Sequence, residues 1–427
     1  MAQLKEEIEM TREPVKLPVV VGENIGQKVL MFQIQLPVKA QYINDVKTEI
    51  VNLETKVIKD RVMVNGYVDT VVLFVGEDKA IHRSSNSTGF NLFTPVPGAR
   101  PGMNLFVEPE IEQIESELTE DRKVIEQKLV VQFFIKVLKR EEFYLKTGQG
   151  PLVRTERIVG ETQHQLDLKN KSKLAVKLNK LLDLDTRLQG LEYKIKDNRI
   201  LIQGTVKSDL YYMGEDGIKH HQEVSIPFNE NINFAGAEQG MTADIEYNIL
   251  HADTIKGEEN QEITEVIILE FNIMVLEQVQ LKIPTGDGPL VMVSEVIGEN
   301  TGELLKQLEI PIQNKIRKIS RVDPTIIALK GVLIEDRIVA HGEIKLFIYY
   351  IGNDGIEYIK TVTSPFNTLI NLAGTRTGME SELEANTAYI DYHFNPSKGI
   401  INCKIIIEVF AKVFEKIQFN IVEEKEA

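Results

Sequence analysis

Apolar and polar positions alternate with a period of two along much of this chain. In residues 337–350, Ile344, Ile348 and either Leu346 or Phe347 fall on one apolar face. A period of two places successive side chains on opposite faces of an extended backbone, which predicts half-buried β-strands. Glu335-Asp336 before this run and Gly352-Asn353-Asp354-Gly355 after it read as hairpin turns. Asp and Asn bond their own main chain and tolerate left-handed backbone angles, and Gly adopts positive φ without strain. Three strongly apolar runs, 128–137, 266–275 and 404–413, predict further strands. Short strands separated by polar turns predict an all-β chain of sandwich-like domains.

The pattern is written three times at an interval of 138 residues. Gly22, Gly160 and Gly298 are equivalent, as are Arg61, Arg199 and Arg337. The same interval relates Gly66, Gly204 and Gly342, then Asp78, Asp216 and Asp354. It also relates Phe90, Phe228 and Phe366, and Gly102, Gly240 and Gly378. Such a period is too long for a solenoid turn and matches a whole domain. Three tandem domains are expected, at 1–145, 146–283 and 284–427. The segments 38–52 and 174–188 carry helix-like Leu, Lys and Glu. The matching stretch 315–327 contains Pro324 and β-branched residues, so a strand is expected in all three. The joints 147–153 and 285–291 read as short Gly/Pro turns of equal length, which favours a rod or gentle superhelix. The charged ends, 1–13 and 423–427, are expected to fray.

The net charge of −15 argues against a nucleic-acid surface and against binding an anionic membrane by charge. An apolar share of 43% with 26% charged residues excludes a disordered chain. The single cysteine, Cys403, rules out a disulfide within the chain, and its strand-like surroundings assign it to the core. The first residues carry no apolar stretch of the secretory type, and no run reaches transmembrane length without charge. Synthesis and folding in the cytoplasm are expected.

Candidate chemistry is sparse. No histidine spacing suits zinc, and His220-His221 reads as a surface pair. Gly148-Gln149-Gly150 and Gly286-Asp287-Gly288 lack the following Lys-Ser/Thr and helix start that a phosphate cradle needs. Asp78, Asp216 and Asp354 supply too few oxygens for calcium and read as turn residues. Arg61, Arg199 and Arg337 are expected either to pair with an acidic side chain in each copy or to bridge molecules. Phe90, Phe228 and Phe366 are expected to plug the cores. Tyr211-Tyr212 and Tyr349-Tyr350 each place one ring inward and one outward. No catalytic, cofactor-binding or metal-ligating residue is expected, and no cofactor.

The ordered set of Asp336 to Ile344, Tyr349-Tyr350, Ser364-Pro365-Phe366-Asn367 and Ala373 to Met379 resembles the SPOCS domain of spore-envelope proteins in endospore-forming bacteria. The second copy matches nearly as well. The first diverges, with Leu73-Phe74 for the tyrosine pair and Gly89-Phe90-Asn91 for Pro-Phe-Asn. The resemblance implies a non-enzymatic structural and assembly role, with no catalytic residues to carry over. A coat-morphogenesis member adds a LysM domain. The absence of one here favours a building block of β-domains alone. The implied partners are the chain itself, as an oligomer, filament or lattice, and other spore-coat proteins, with no nucleic acid and no membrane insertion. Deposition from the mother-cell cytoplasm onto the coat or outer spore layer follows. The alternative is an adaptor that binds a coat protein or a wall or coat polysaccharide.

Overall fold

Each copy contributes six strands to a computed structural model that describes residues 12–257, 261–312 and 316–422. Most of both charged tails, and Lys315, lie outside the described residues. The first copy holds β1 (Arg12–Gln35), β2 (Ala40–Ile58), β3 (Arg61–Gly76), β4 (Ile81–Pro95), β5 (Asn104–Leu118) and β6 (Val124–Lys146). The second holds β7 (Leu152–Lys173), β8 (Leu178–Lys196), β9 (Arg199–Gly214), β10 (Lys219–Asn233), β11 (Thr242–Lys256) and β12 (Glu262–Lys282). The third holds β13 (Thr285–Pro311), β14 (Ile316–Ile334), β15 (Arg337–Gly352), β16 (Glu357–Asn371), β17 (Glu380–Asn395) and β18 (Ile400–Ile421). The fold is all-β, and the helix-like segments are the strands β2 and β8.

In every copy the second, third and fourth strands form an antiparallel three-stranded sheet. The sixth strand pairs with the fifth and the first. These two layers face each other across the core. In the third copy Ile338, Ala340, Ile344, Leu346 and Ile348 of β15 meet Ile401, Cys403, Ile405, Ile407, Val409, Ala411 and Val413 of β18. Every second residue is buried, so Leu346, not Phe347, supplies the apolar face. In the first copy Val62, Val64, Val68 and Phe90 meet Leu129, Val131, Phe133 and Ile135. Each side chain so buried contributes about 1.5–3 kcal/mol relative to exposure.

The strands are not short. They run from 15 to 27 residues, against a usual length of about 5–6. Breaks in the apolar pattern mark bulges within strands, not strand ends. β2, β8 and β14 shift register at three matching places. The last shift places Asn52 (φ 52), Gly190 (φ 63) and Ala328 (φ 54) in the left-handed region. Glycine suits that conformation and alanine does not. Ala328→Gly is expected to raise stability by ~0.5–1 kcal/mol, read from the urea midpoint. A lower midpoint would contradict this reading of the bulge.

The chain divides into two compact units whose borders do not follow the copies. One holds Met1–Lys16, Glu142–Thr147 and Thr155–Val279; the other holds Leu17–Glu141, Gly148–Arg154 and Gln280–Ala427. In the former, Val15 lies opposite Arg157 and Lys16 opposite Glu156. In the latter, Val153 lies opposite Glu295, and Val19 opposite Val291. Shifted by the repeat interval, all these pairings join position 15 of one copy to position 19 of another, apart from the neighbouring Lys16–Glu156 step. The segment 147–151 is a turn, as expected. Its counterpart is instead bulged strand within β13, where Thr285 faces Ile421, Leu290 faces Asn420, and the Asn420 amide donates to the Gly288 carbonyl at 2.7 Å.

Candidate functional site

The recurring residues gather into a small number of local devices, repeated in every copy. At the hairpin after the third strand, Asp78, Asp216 and Asp354 each accept a backbone hydrogen bond two residues on, from Ala80, Ile218 and Ile356. The same carboxylates meet His82 at 2.9 Å, His220 at 2.9 Å and the Tyr358 hydroxyl at 2.6 Å. These rings stack on Phe74, Tyr212 and Tyr350 in turn. A side chain on Gly76, Gly214 or Gly352 would strike the Asp oxygen, which fixes glycine there. The Asp78 carboxyl is held below its ordinary pKa by His82 and then by the Ala80 amide. For Asp216 the Ile218 amide leads, and for Asp354 the Tyr358 hydroxyl leads.

The turn before the third strand is clamped onto the loop after the fourth. Asp60, Asn198 and Asp336 all have φ 57. Their side chains accept hydrogen bonds from the amides of Gly98, Gly236 and Gly374 at 2.9, 2.9 and 2.7 Å. Gly102, Gly240 and Gly378 close the same loop with φ of 90°, 102° and 94°. Gly22, Gly160 and Gly298 lie against it, over Val96, Phe234 and Leu372. Asp336→Ala removes both the side-chain bond and the tolerance for positive φ. It is expected to cost about 1–2 kcal/mol and to speed amide exchange at Gly374; unchanged exchange there would refute the clamp.

Arg61, Arg199 and Arg337 follow directly and are exposed. Among the described residues none of the three makes an ion pair or side-chain hydrogen bond, so the expected pairing within each copy is absent. Phe90, Phe228 and Phe366 are buried opposite Gly66, Gly204 and Gly342.

The other candidates separate. His220 and His221 point to opposite faces of β10: His220 meets Asp216, and His221 meets Asp209 at 2.8 Å and stacks on Tyr211. Two such rings cannot converge on one ion. Among the described residues no group of three His, Cys, Asp or Glu side chains is placed to hold a metal. Cys403 is buried, and burial pushes its thiol up to about 11, leaving it neutral. Tyr212 and Tyr350 face inward, while Tyr349 lies outward beneath Arg321 at 4.2 Å.

One position escaped the sequence reading. Gln127, Glu265 and Cys403 are equivalent and all buried. Beside Glu265 lie Ser208 and Asn170, yet neither completes a hydrogen bond of ordinary geometry to it. Burial pushes the Glu265 carboxyl up against the weaker pull of those neighbours. Ser208 meets Thr186 at 3.4 Å, as Thr70 meets Thr48 at 3.3 Å. The third copy replaces this polar layer with Pro324, Leu346 and Cys403. The signal was available, since Glu265 shares the parity of Ile263, Ile267 and Leu269.

An open groove of about 940 Å³ crosses the second copy, where Lys16 meets Asp244 at 2.8 Å beside Gln163, Glu246 and Asn272. A smaller one of about 250 Å³ in the third copy is lined at the equivalent positions by Thr301, Glu384 and Phe410. No aromatic residue is common to the two.

The sequence model described as SipL, SPOCS domain, matches residues 39–119, 177–256 and 315–395, together more than half of the chain. Each match spans the second to fifth strands and omits the first and sixth, which complete the core. No curated protein and no solved structure matches this chain.

Proposed function

The chain belongs to the SPOCS-domain family, in three tandem copies, and from that premise we propose that it is a non-enzymatic structural protein of the bacterial spore envelope. The family is one of sporulation proteins and is not a known enzyme family. The observation that carries the proposal is the threefold repetition of a scaffold whose recurring residues are nearly all engaged in turns and packing. Three like surfaces on one chain turn individually weak contacts into strong attachment through effective concentration. The recurring arginines are the exception. Exposed and without acidic partners among the described residues, they suit contacts with acidic groups, which a chain of net charge −15 presents in excess. Its partners would be further copies of itself or other coat proteins.

A second molecule would not copy the internal joint, because those backbone segments already pair within the chain. Contacts fall instead to edge strands such as β4, β10 and β16, which can accept another strand where their outer backbone groups are not already taken, as the Pro95, Asn371 and Pro365 carbonyls are by Asn24, Asn300 and Lys306. Among the described residues no helix is long and apolar enough to cross a membrane. The site of action proposed is the outer layers of the developing spore, reached from the mother cell. A fluorescent fusion in sporulating cells is expected to ring the forespore from the mother-cell side. Fluorescence spread evenly through the mother cell at every stage would contradict the proposal.

A further inference from the structure

The first copy departs from the other two on the outer face of its three-stranded sheet, and the departures lie together. Tyr67 replaces Thr205 and Glu343, Phe93 replaces Asn231 and Leu369, and Gly89 replaces Pro227 and Pro365. Tyr67 and Phe93 are exposed, at 50% and 52%. Tyr67 lies opposite Gly89, Asn65 opposite Asn91, and Met63 opposite Phe93. A Cβ on Gly89 would come within 3.3 Å of Tyr67 Cε1 and 3.6 Å of Cδ1. The ring therefore leans over the bare backbone at Gly89, with its other side open to solvent.

Between the two rings runs a row of hydrogen-bonding groups. Glu54, Asn65 and Asn91 sit side by side across three strands. Together with Asn52 they line a groove of about 520 Å³. Asn65 Oδ1 is shut off from solvent and has no hydrogen-bond partner. Four residues of strand separate the Tyr67 and Phe93 rows, about 13 Å, the length of a short oligosaccharide.

We propose that this face of the first copy binds a neutral oligosaccharide chain. The C–H faces of pyranose rings would stack on Tyr67 and Phe93, and hydroxyl or acetamide groups would bond the amides between them. An amide offers two donors and an acceptor, so Asn91 can serve either polarity of a sugar hydroxyl, while Asn65, its Oδ1 enclosed, is left to donate. The acidic chain disfavours a polyanionic glycan. Pro227 and Pro365 deny the other copies the Gly89 seat. The proposal rests on this face alone and is independent of the assembly reading.

The test is calorimetric titration of the full chain with two soluble probes, the β-1,4-linked hexamers of N-acetylglucosamine and of glucose. Binding of at least one is expected at millimolar concentration or tighter. Tyr67→Ala should weaken it roughly tenfold or more, a loss of about 1.4 kcal/mol. Gly89→Pro should do the same while preserving the fold, since two copies carry proline there. Tyr144→Ala, an exposed ring elsewhere, should leave affinity unchanged. Binding of the first hexamer alone would assign the amides to the acetamide, and binding of both would assign them to hydroxyls. Absence of heat with either hexamer, or full affinity in the Tyr67 variant, would overturn the proposal.

Discussion

Replacing Phe366 by alanine is expected to destabilise the third copy by about 3–5 kcal/mol. Its ring is buried and lies directly across from Gly342. A Cβ on Gly342 would come within 2.6 Å of the ring's Cζ. The phenyl group therefore occupies the volume that a side chain on the neighbouring strand would fill. The glycine and the phenylalanine form one packing unit, written again as Gly66 with Phe90 and Gly204 with Phe228. Gly342→Val alone should overpack the site at a cost of ~1–3 kcal/mol or more. In the Phe366→Ala background the same change should cost less, because the valine enters the vacated space. That non-additivity is the signature of residues in contact. Amide exchange along β15 would measure it. Additive losses, or a Phe366→Ala cost below ~1 kcal/mol, would show that the pair is not coupled.

Glu265→Gln is expected to stabilise the second copy, increasingly so as the pH rises. The folded state holds the Glu265 proton more tightly than the unfolded chain does, because burial penalises the carboxylate. Stability from such a group is fully present below the ordinary carboxylate pKa and is lost as pH rises through the elevated folded value. Glutamine keeps the shape and cannot ionise, and the first copy already carries Gln127 at this position. The two proteins should have similar denaturation midpoints near pH 4. By pH 8 the variant should be more stable by about 1–3 kcal/mol. A constant difference across that range would place the carboxylate in contact with water.

The architecture was legible wherever local chemistry forces it. Asp60, Asn198 and Asp336 announce a left-handed turn, and Pro324 excludes helix from a segment that Leu174 to Leu188 alone would leave ambiguous. Recurrence placed Phe90, Phe228 and Phe366 in the cores and a strand-like run placed Cys403 there, and all four are buried. Strand length was not legible, because a β-bulge breaks the alternation just as a strand end does. The bulge at Ala328 is concealed by a residue that normally avoids its backbone angles; the equivalent Asn52 and Gly190, which tolerate them, hint at it. For the exposed arginines the sequence left pairing within each copy and bridging between molecules both open, since charge counts carry no information about distance. The Tyr67 platform was invisible for a related reason. Which residues neighbour Tyr67 depends on register across three strands, and the sequence does not state that register. Glu265 could have been found by parity, but a single charged residue within an apolar strand is easily assigned to the surface.

In the proposed role, repetition serves assembly. Negative-stain electron microscopy of the purified full-length chain, with light scattering of the same sample across pH and calcium concentration, tests it most directly. Regular filaments, sheets or discrete oligomers that grow with protein concentration are predicted. A particle of single-chain mass at every concentration and condition would contradict self-assembly and leave the protein as an adaptor awaiting its partner.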